Sequence, residues 1–139
     1  AVILMIGIDM LYLSVTHPVV KAVLSPMMTT LTPHSPVVFA VFFAVLAPLA
    51  LYRGPLNLFG LGSGIAALMS ASGLLPVQAV MGGFLSAERI QGVGDPTNTQ
   101  NVWVSNFVGV DVNTVTKTLL PYLWATSAIG SITAAALYF

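Results

Sequence analysis

The chain of 139 residues has no cysteine and very few charged side chains. Without cysteine it can form neither a disulfide nor a thiolate metal site, and its redox compartment is left open. Four Lys and Arg residues balance four Asp and Glu residues, and no basic run exists, so nucleic-acid binding has no electrostatic basis. No P-loop, metal-ligand set or nucleophile–base pair is visible, so we expect neither an enzyme nor a metal site.

Apolar side chains dominate what remains. The chain is 57% hydrophobic and 6% charged, with a mean hydropathy of +0.95. Soluble domains carry about 25% charged residues. So few charged groups cannot cover a globule of this size, and the excess apolar surface must face lipid or other protein. The composition therefore predicts an all-α integral membrane protein whose first partner is the lipid bilayer.

Several runs approach the roughly 20 apolar residues that a membrane-crossing helix needs. We expect a single transmembrane domain over 1–139, with spans over about 1–15, 35–52, 56–73 and 119–139 and a broken segment over 74–110. Residues 19–31 are too few to cross and predict an interfacial or re-entrant helix. Asp9 lies in the first run, where a carboxylate is a functional hypothesis by default. That run starts apolar without Met, so we expect a fragment of a larger protein.

Prolines and glycines punctuate these runs. Pro36 suits the first position of a helix, where its missing N–H is not needed. Pro48 lies inside the same run and predicts a kink. Gly60 and Gly64 are four residues apart, a spacing that lets another helix backbone approach closely in lipid. We therefore expect the small-residue face of the run over 56–73 to pack against protein.

The most distinctive segment is the polar, helix-breaking decapeptide 92–101, GVGDPTNTQN, set between apolar runs. In hydrocarbon, irregular backbone survives only where it is buried in protein or lines a wet cavity. Short hydrophobic segments interrupted by Gly and Pro point to transporter binding sites. We predict a half-helix that ends near Leu85, then a break, then a helix that starts at Pro96 with Asp95 as its N-cap.

The side chains of this break could coordinate a cation or hydrogen-bond hydroxyls and carboxylates. Asp95 is either a proton or sodium ligand or only a helix cap. Arg89 could give an anionic substrate a bidentate partner, or it could pair with Glu88 at a membrane interface. The alternative for the whole stretch 86–101 is a solvated loop that connects two spans.

Three stretches carry a resemblance to a known family: Leu61-Gly62-Ser63-Gly64-Ile65, then Gly94-Asp95-Pro96-Thr97-Asn98-Thr99-Gln100, then Gly109-Val110-Asp111 with Leu120-Pro121-Tyr122. Together they resemble the ion-transporter superfamily, which includes gluconate permeases, citrate–metal symporters, C4-dicarboxylate carriers and sodium/proton antiporters. The resemblance covers roughly residues 35–139. Thr97-Asn98-Thr99 approximates the Ser-Asn-Thr signature of the sodium-coupled dicarboxylate branch.

The resemblance implies the C-terminal half of an inverted-repeat transporter with re-entrant or broken helices, in a bacterial inner membrane. Its partners would be the remaining half of the same transporter and, in a homodimer, a second copy. The implied function is ion-coupled secondary transport of a small organic anion by alternating access. The implied substrate ligands are Thr97, Asn98, Thr99 and Asn101. Asp95 would take the coupling proton or sodium ion, with no other cofactor.

A rival function uses the same features differently. The chain could be a structural or channel-forming subunit of a multi-subunit membrane complex, in which the small-residue helix mediates assembly. The polar break would then be an external loop. The two functions differ in whether a solute reaches residues 92–101.

Overall fold

A computed structural model describes residues 6–7, 10, 13–14 and 17–139 of the chain. The predicted span over 1–15 lies largely outside the described residues, and Asp9 lies wholly outside them. The described part is built from helices, with no strand in it, which confirms the predicted all-α class. The elements are α1 (Pro18–Leu31), α2 (Pro36–Leu46), a 3-10 segment (Ala47–Arg53), α3 (Gly62–Ser72), α4 (Val77–Gly94), α5 (Thr99–Val108) and α6 (Val112–Tyr138).

Two stretches of helix are long and apolar enough to cross a membrane. They are Pro36–Arg53, of 18 residues, and Val112–Tyr138, of 27 residues. They correspond to the spans predicted over 35–52 and 119–139, although the second begins seven residues earlier than predicted. Length and composition alone make them a weak indication of membrane association.

Helices α2, α4 and α6 pack against one another and form the core. Aromatic rings fill its centre: Phe43 packs edge-on against Phe84, with ring centroids 5.3 Å apart, and Phe39 lies 4.8 Å from Phe43. Gly83 makes this packing possible, because a Cβ there would lie 2.7 Å from the Phe43 ring. The ring thus rests directly on the backbone of α4.

Prolines mark both the first residue of helix α2 and the point where its α-helical geometry ends. Ser35 is the N-cap, and its Oγ accepts a hydrogen bond from the N–H of Val38 at 3.2 Å, with Pro36 as the first helical residue. The α-helix changes to a 3-10 segment at Ala47, immediately before Pro48. A proline cannot donate to the carbonyl four residues earlier. The regular α-helix therefore ends at this proline, and the kink itself follows at Leu51 and Tyr52, whose φ and ψ angles are not helical.

Pro48 has no N–H to donate to the carbonyl of Ala44, and a side chain of another helix donates to that carbonyl instead. Trp124 of α6 donates its indole Nε1–H to the Ala44 oxygen at 2.6 Å. The indole thereby ties α6 to the bend in α2 across 80 residues of sequence.

The run predicted as a span over 56–73 is helical only in part. Residues 54–60 form turns, in which the N–H of Asn57 donates to Gly54 and the N–H of Gly60 donates to Asn57. Helix α3 then has 11 residues, or about 16 Å, which is too short to cross a hydrocarbon core of about 30 Å. Gly60 lies outside the helix, so the contact predicted for Gly60 and Gly64 on one helix face is not formed.

The half-helix predicted to end near Leu85 is wrong, because α4 continues without interruption to Gly94. Its second half keeps the spacing of a buried helical face: Phe84, Ala87 and Ile90 are all buried. This periodicity is hard to see in the sequence, because the charged residues Glu88 and Arg89 lie between the buried positions Ala87 and Ile90. The broken segment expected over 74–110 therefore consists of α4, a short connection and α5.

Candidate functional site

The break in the helical path is four residues long, 95–98, and not ten. Asp95 is the C-cap of α4, and Asn98 is the N-cap of α5, so the helix start predicted at Pro96 is wrong by three residues. The N–H of Asn98 donates to the Asp95 carbonyl at 3.1 Å and closes a turn with Pro96 at its second position. Asn98 then has a ψ of 131°, which takes the backbone out of the helical conformation.

Asp95 is fully buried, and both of its carboxylate oxygens accept hydrogen bonds. Oδ1 accepts from the N–H of Thr97 at 2.7 Å and from its hydroxyl at 2.5 Å. Oδ2 accepts from the N–H of Tyr52 at 2.6 Å, across 43 residues. The N-cap role predicted for Asp95 is therefore wrong: Asp95 ends α4, and its side chain ties α4 to the end of the 3-10 segment.

Tyr52 and Arg53 have unusual backbone conformations. Their φ angles are 53° and 55°, and among the described residues they are the only non-glycine residues with positive φ. The left-handed conformation costs an L-residue about 1–2 kcal/mol, so neighbouring structure must hold it in place. The bond from Tyr52 to Asp95 is one such restraint.

Side-chain amides of Asn98 in the break and of Gln100 and Asn101 in the first turn of α5 cap the end of α4. The last carbonyls of an α-helix have no partner within the helix. Asn98, Gln100 and Asn101 donate at 2.6–3.1 Å to the carbonyls of Gln91, Gly92, Val93 and Asp95. Gln91 and Asp95 also accept backbone N–H groups, from Asp95 and Asn98 respectively. Much of the donor capacity predicted for a solute is thus used to end the helix.

An open cleft of about 750 Å³ lies beside this break. It is lined by Arg53, Phe59, Glu88, Gln91, Gly92, Asn98, Thr99, Gln100 and Trp103. Two predicted substrate ligands, Asn98 and Thr99, line it. Thr97 and Asn101 do not, and neither does Asp95.

The arginine of the cleft is not the one predicted. Arg89 is exposed on α4 outside the cleft lining, and Arg53, at the end of the 3-10 segment, lines the cleft instead. Sequence reasoning missed Arg53 because it treated the residue as the end of a span. The neighbouring residues Gly54 and Pro55 indicate a turn. A turn at this point brings the chain back toward α4, so it would have suggested that Arg53 lies near the site.

Glu88 is the acidic group of the cleft. Its carboxylate accepts a hydrogen bond from the N–H of Leu58 at 3.2 Å. Burial raises the pKa of Glu88 above its usual value of 4.5, while the Leu58 N–H and the charges of Arg53 and Arg89 act to lower that pKa. Glu88 thus interacts with both arginines, rather than with Arg89 alone as predicted.

Gln91 is a further cleft residue that sequence reasoning missed. Its Nε2 donates to Oδ1 of Asn98 at 3.2 Å, which links α4 to the start of α5. Glu88 and Gln91 are three residues apart and share a helix face. In a continuous α4, this spacing predicts that both side chains face the same cleft. Within the described part of the chain, no three His, Asp or Glu side chains are grouped to hold a metal ion.

No protein-family model, curated protein or solved structure matches this chain. The resemblance to the ion-transporter superfamily therefore stays a prediction from the three quoted stretches.

Proposed function

We propose that the chain is a membrane-embedded part of an ion-coupled secondary transporter, and that the cleft at its helix break binds a small organic anion. The observation that carries this proposal is the meeting of Arg53, Glu88 and the first turn of α5 in one cleft. A guanidinium is permanently charged and matches a carboxylate in shape. The N-terminus of α5 adds a partial positive charge beside it.

The outward faces of the two long helices support a bilayer setting. Val37, Val41 and Val45 of α2 are each more than half exposed, as are Ile129, Ile132 and Leu137 of α6. Leaving apolar surface in water costs roughly 25 cal/mol per Å². Lipid removes that cost.

Helix α5 supports the same setting, because its polarity is the reverse of a water-exposed helix. Asn101 and Ser105 are buried, whereas Trp103 and Phe107 are 68% and 82% exposed. The two exposed rings stack with centroids 6.0 Å apart. In a water-soluble helix the apolar stripe faces the core. Contact with lipid or with another part of the transporter accounts for the reversal.

The structure favours Glu88 over Asp95 as the coupling group in this proposal. Glu88 lines the cleft with Arg53, so a bound anion and the ionised Glu88 compete for the same guanidinium. A proton on Glu88 removes that competition and the repulsion between like charges. Asp95 lies outside the cleft lining, and three donors already occupy its oxygens. We therefore propose a proton as the coupling ion.

Single cysteines test the site directly, because the natural chain has none. In lipid nanodiscs, citrate or succinate should slow maleimide labelling of Thr99→Cys, which lies in the cleft. Labelling of Asn106→Cys, on the same helix but outside the cleft, should be unaffected. Arg53→Gln should reduce the protection strongly without removing it, and Lys117→Gln should preserve it. Failure of every anion to protect Thr99→Cys would remove the binding site.

Transport is tested separately in proteoliposomes. An inward proton gradient should drive accumulation of radiolabelled citrate in vesicles that contain the chain, and Glu88→Gln should abolish the dependence on the gradient. Anion-protected labelling without uptake would place the binding site in this chain and assign the movement to the rest of the transporter.

A structural or channel-forming subunit is the second candidate. It is favoured by the use of Asn98, Gln100 and Asn101 to cap α4, which leaves fewer groups for a solute. This function predicts that labelling at residues 97–100 depends only on access from one side of the membrane and is the same with and without citrate.

A further inference from the structure

We infer that Asp95 is a positioning residue: it fixes Arg53 in the cleft by holding the backbone of Tyr52. This inference rests on the proposed anion site, but it concerns a different residue and a different contact. Asp95 does not line the cleft, so any influence it has on a bound anion must pass through neighbouring structure.

The first observation is the contact itself. Oδ2 of Asp95 accepts the Tyr52 N–H at 2.6 Å, and Tyr52 is the residue immediately before Arg53. The other oxygen, Oδ1, is held by Thr97 through its N–H and its hydroxyl. The carboxylate therefore joins the turn at the helix break to the end of the 3-10 segment.

The second observation is the backbone conformation at that point. Tyr52 and Arg53 both have positive φ, although neither is glycine. Such conformations persist only where surrounding structure enforces them. Tyr52 has a largely exposed side chain, so side-chain packing holds it little. The Gly54 N–H closes the turn over this pair by donating to the Leu51 carbonyl at 3.0 Å, and the bond to Asp95 is the side-chain restraint that fixes this turn to α4.

The third observation is a second contact on Arg53. A Cβ at Gly60 would lie 2.3 Å from the Arg53 carbonyl oxygen and 2.9 Å from its carbonyl carbon. Glycine at position 60 thus lets the turn over 54–60 close directly against the Arg53 peptide. Asp95 and Gly60 together determine where the arginine backbone lies, and hence where its guanidinium reaches.

Breaking the Asp95 contact should release this arrangement. Asn at position 95 keeps the size of the side chain but replaces one acceptor oxygen with an NH₂ donor. The remaining oxygen cannot accept from both Thr97 and Tyr52 in their present positions. The left-handed pair then relaxes, and Arg53 moves relative to Glu88 and the first turn of α5.

Citrate affinity provides the first test, read from the fluorescence of Trp103 in the cleft, with Trp103→Phe to confirm the source of the signal. Asp95→Asn should weaken citrate binding by about fivefold or more, as the loss of a charged contact does. Asp111→Asn makes the same charge change at an exposed helix cap and should have no effect. In an Arg53→Gln background, Asp95→Asn should cause no further loss.

Rescue separates positioning from a general structural role. Glycine adopts positive φ without steric cost. Tyr52→Gly should therefore restore citrate affinity to the Asp95→Asn chain to within about twofold. Should Asp95→Asn fail to fold, Gly60→Ala tests the same point, because its methyl group also displaces the Arg53 peptide. Additive losses in the Arg53→Gln background would overturn the inference, and so would a lack of rescue by Tyr52→Gly.

A second measurement does not depend on any anion. The Tyr52 amide hydrogen should exchange slowly in the natural chain and at least about tenfold faster in Asp95→Asn. If it does so while the natural chain binds no citrate, the proposed function fails and the role of Asp95 in fixing Arg53 is retained. If the natural chain binds citrate and Asp95→Asn neither weakens binding nor speeds exchange, the inference fails and the proposed function survives.

Discussion

Trp124 illustrates how one side chain completes the hydrogen bonding of a kinked helix. Pro48 has no N–H, so the carbonyl of Ala44 loses its usual helical donor. The Trp124 indole replaces that donor at 2.6 Å. This contact lies on the outer surface of the chain, and in the bilayer setting that we propose a carbonyl without any donor costs about 1–3 kcal/mol. The bend in α2 is therefore tolerated because α6 supplies the missing bond.

Trp124→Phe should lower the free energy of unfolding by about 1–3 kcal/mol, since it removes the donor and keeps an aromatic ring. The loss should shrink in a Pro48→Ala background, where the backbone N–H returns. Denaturation in detergent micelles followed by circular dichroism measures both. Trp103→Phe, at an exposed position, is the matched control. An equal loss in both backgrounds would show that Trp124 acts by packing alone.

Glu88 gives stability a pH dependence of known sign. Its pKa is raised on folding, so the folded state holds the proton more tightly than the unfolded state does. The resulting stabilisation is complete below the usual pKa of 4.5 and is lost as the pH rises through the raised value. Glu88→Gln removes this titration. The stability of the variant relative to the natural chain should therefore increase as the pH rises above 4.5, measured by denaturation over a series of pH values. Parallel profiles would refute the assignment.

At the scale of elements, α4 and α6 approach each other closely. A Cβ at Gly82 would lie 2.8 Å from the Ala134 Cβ, and a Cβ at Gly130 would lie 2.6 Å from Ser86 Oγ. Both helices thus have small residues four apart: Gly82 and Ser86 on α4, Gly130 and Ala134 on α6. This is the close approach that the sequence predicted for Gly60 and Gly64. It occurs between two other helices.

Two glycines of α4 should respond in opposite directions to substitution by alanine. Gly82→Ala should destabilise the fold by about 1–3 kcal/mol, because the added methyl group forces α6 away. Gly92→Ala should stabilise it by up to about 1 kcal/mol, because nothing lies within 4 Å and alanine favours the helix. Thermal or detergent denaturation of the two variants measures the contrast. Equal effects would mean that α4 and α6 do not pack as described.

At the scale of the whole molecule, much apolar surface faces outward and the polar groups gather at the helix break. The outward faces of α2, α5 and α6 are largely aliphatic or aromatic. Asp95, Asn101 and Gln91, in contrast, are buried. Such an apolar outer surface around an apolar core agrees with the bilayer setting that we propose.

Cysteine accessibility should reveal that setting. A cysteine at Val41, on the outward face of α2, should react slowly with a membrane-impermeant maleimide in liposomes and quickly once detergent is added. A cysteine at Asn113, at the polar start of α6, should react quickly in both. Both positions are exposed in the isolated chain, so burial in protein does not distinguish them. Equal rates in liposomes would contradict the bilayer setting.

The parts of the fold that sequence predicted correctly depend on local chemistry. Ser35 and Pro36 predict a helix start, and Pro48 predicts an interruption of the regular α-helix, because a cap and a missing N–H act within one turn. The break near Asp95 and Pro96 follows from the same local chemistry. The sequence does not predict its length, because the charged pair Glu88 and Arg89 is typical of a loop, although both residues lie on a continuous helix.

The cleft could be predicted only in part, for a similar reason. Asn98 ends the break and Thr99 begins α5, and the polar composition of residues 92–101 predicts both as site residues. Arg53 comes from 45 residues earlier in the chain, and only the turn over 54–60 brings it beside α4. Its position depends on a left-handed backbone that Asp95 and Gly60 enforce. No local pattern in the sequence encodes that long-range contact.

The sequence by itself determined the helical class, the scarcity of charge and the presence of a polar break, since propensity, composition and proline act locally. The tertiary structure decided which polar groups meet. In the folded chain, the Asn98 amide donates to a carbonyl of α4, and Asp95 accepts the N–H of Tyr52. Arg53 is the cation that lines the cleft. These outcomes depend on how α4, α5 and the 3-10 segment pack, and packing is set by contacts between residues far apart in the chain.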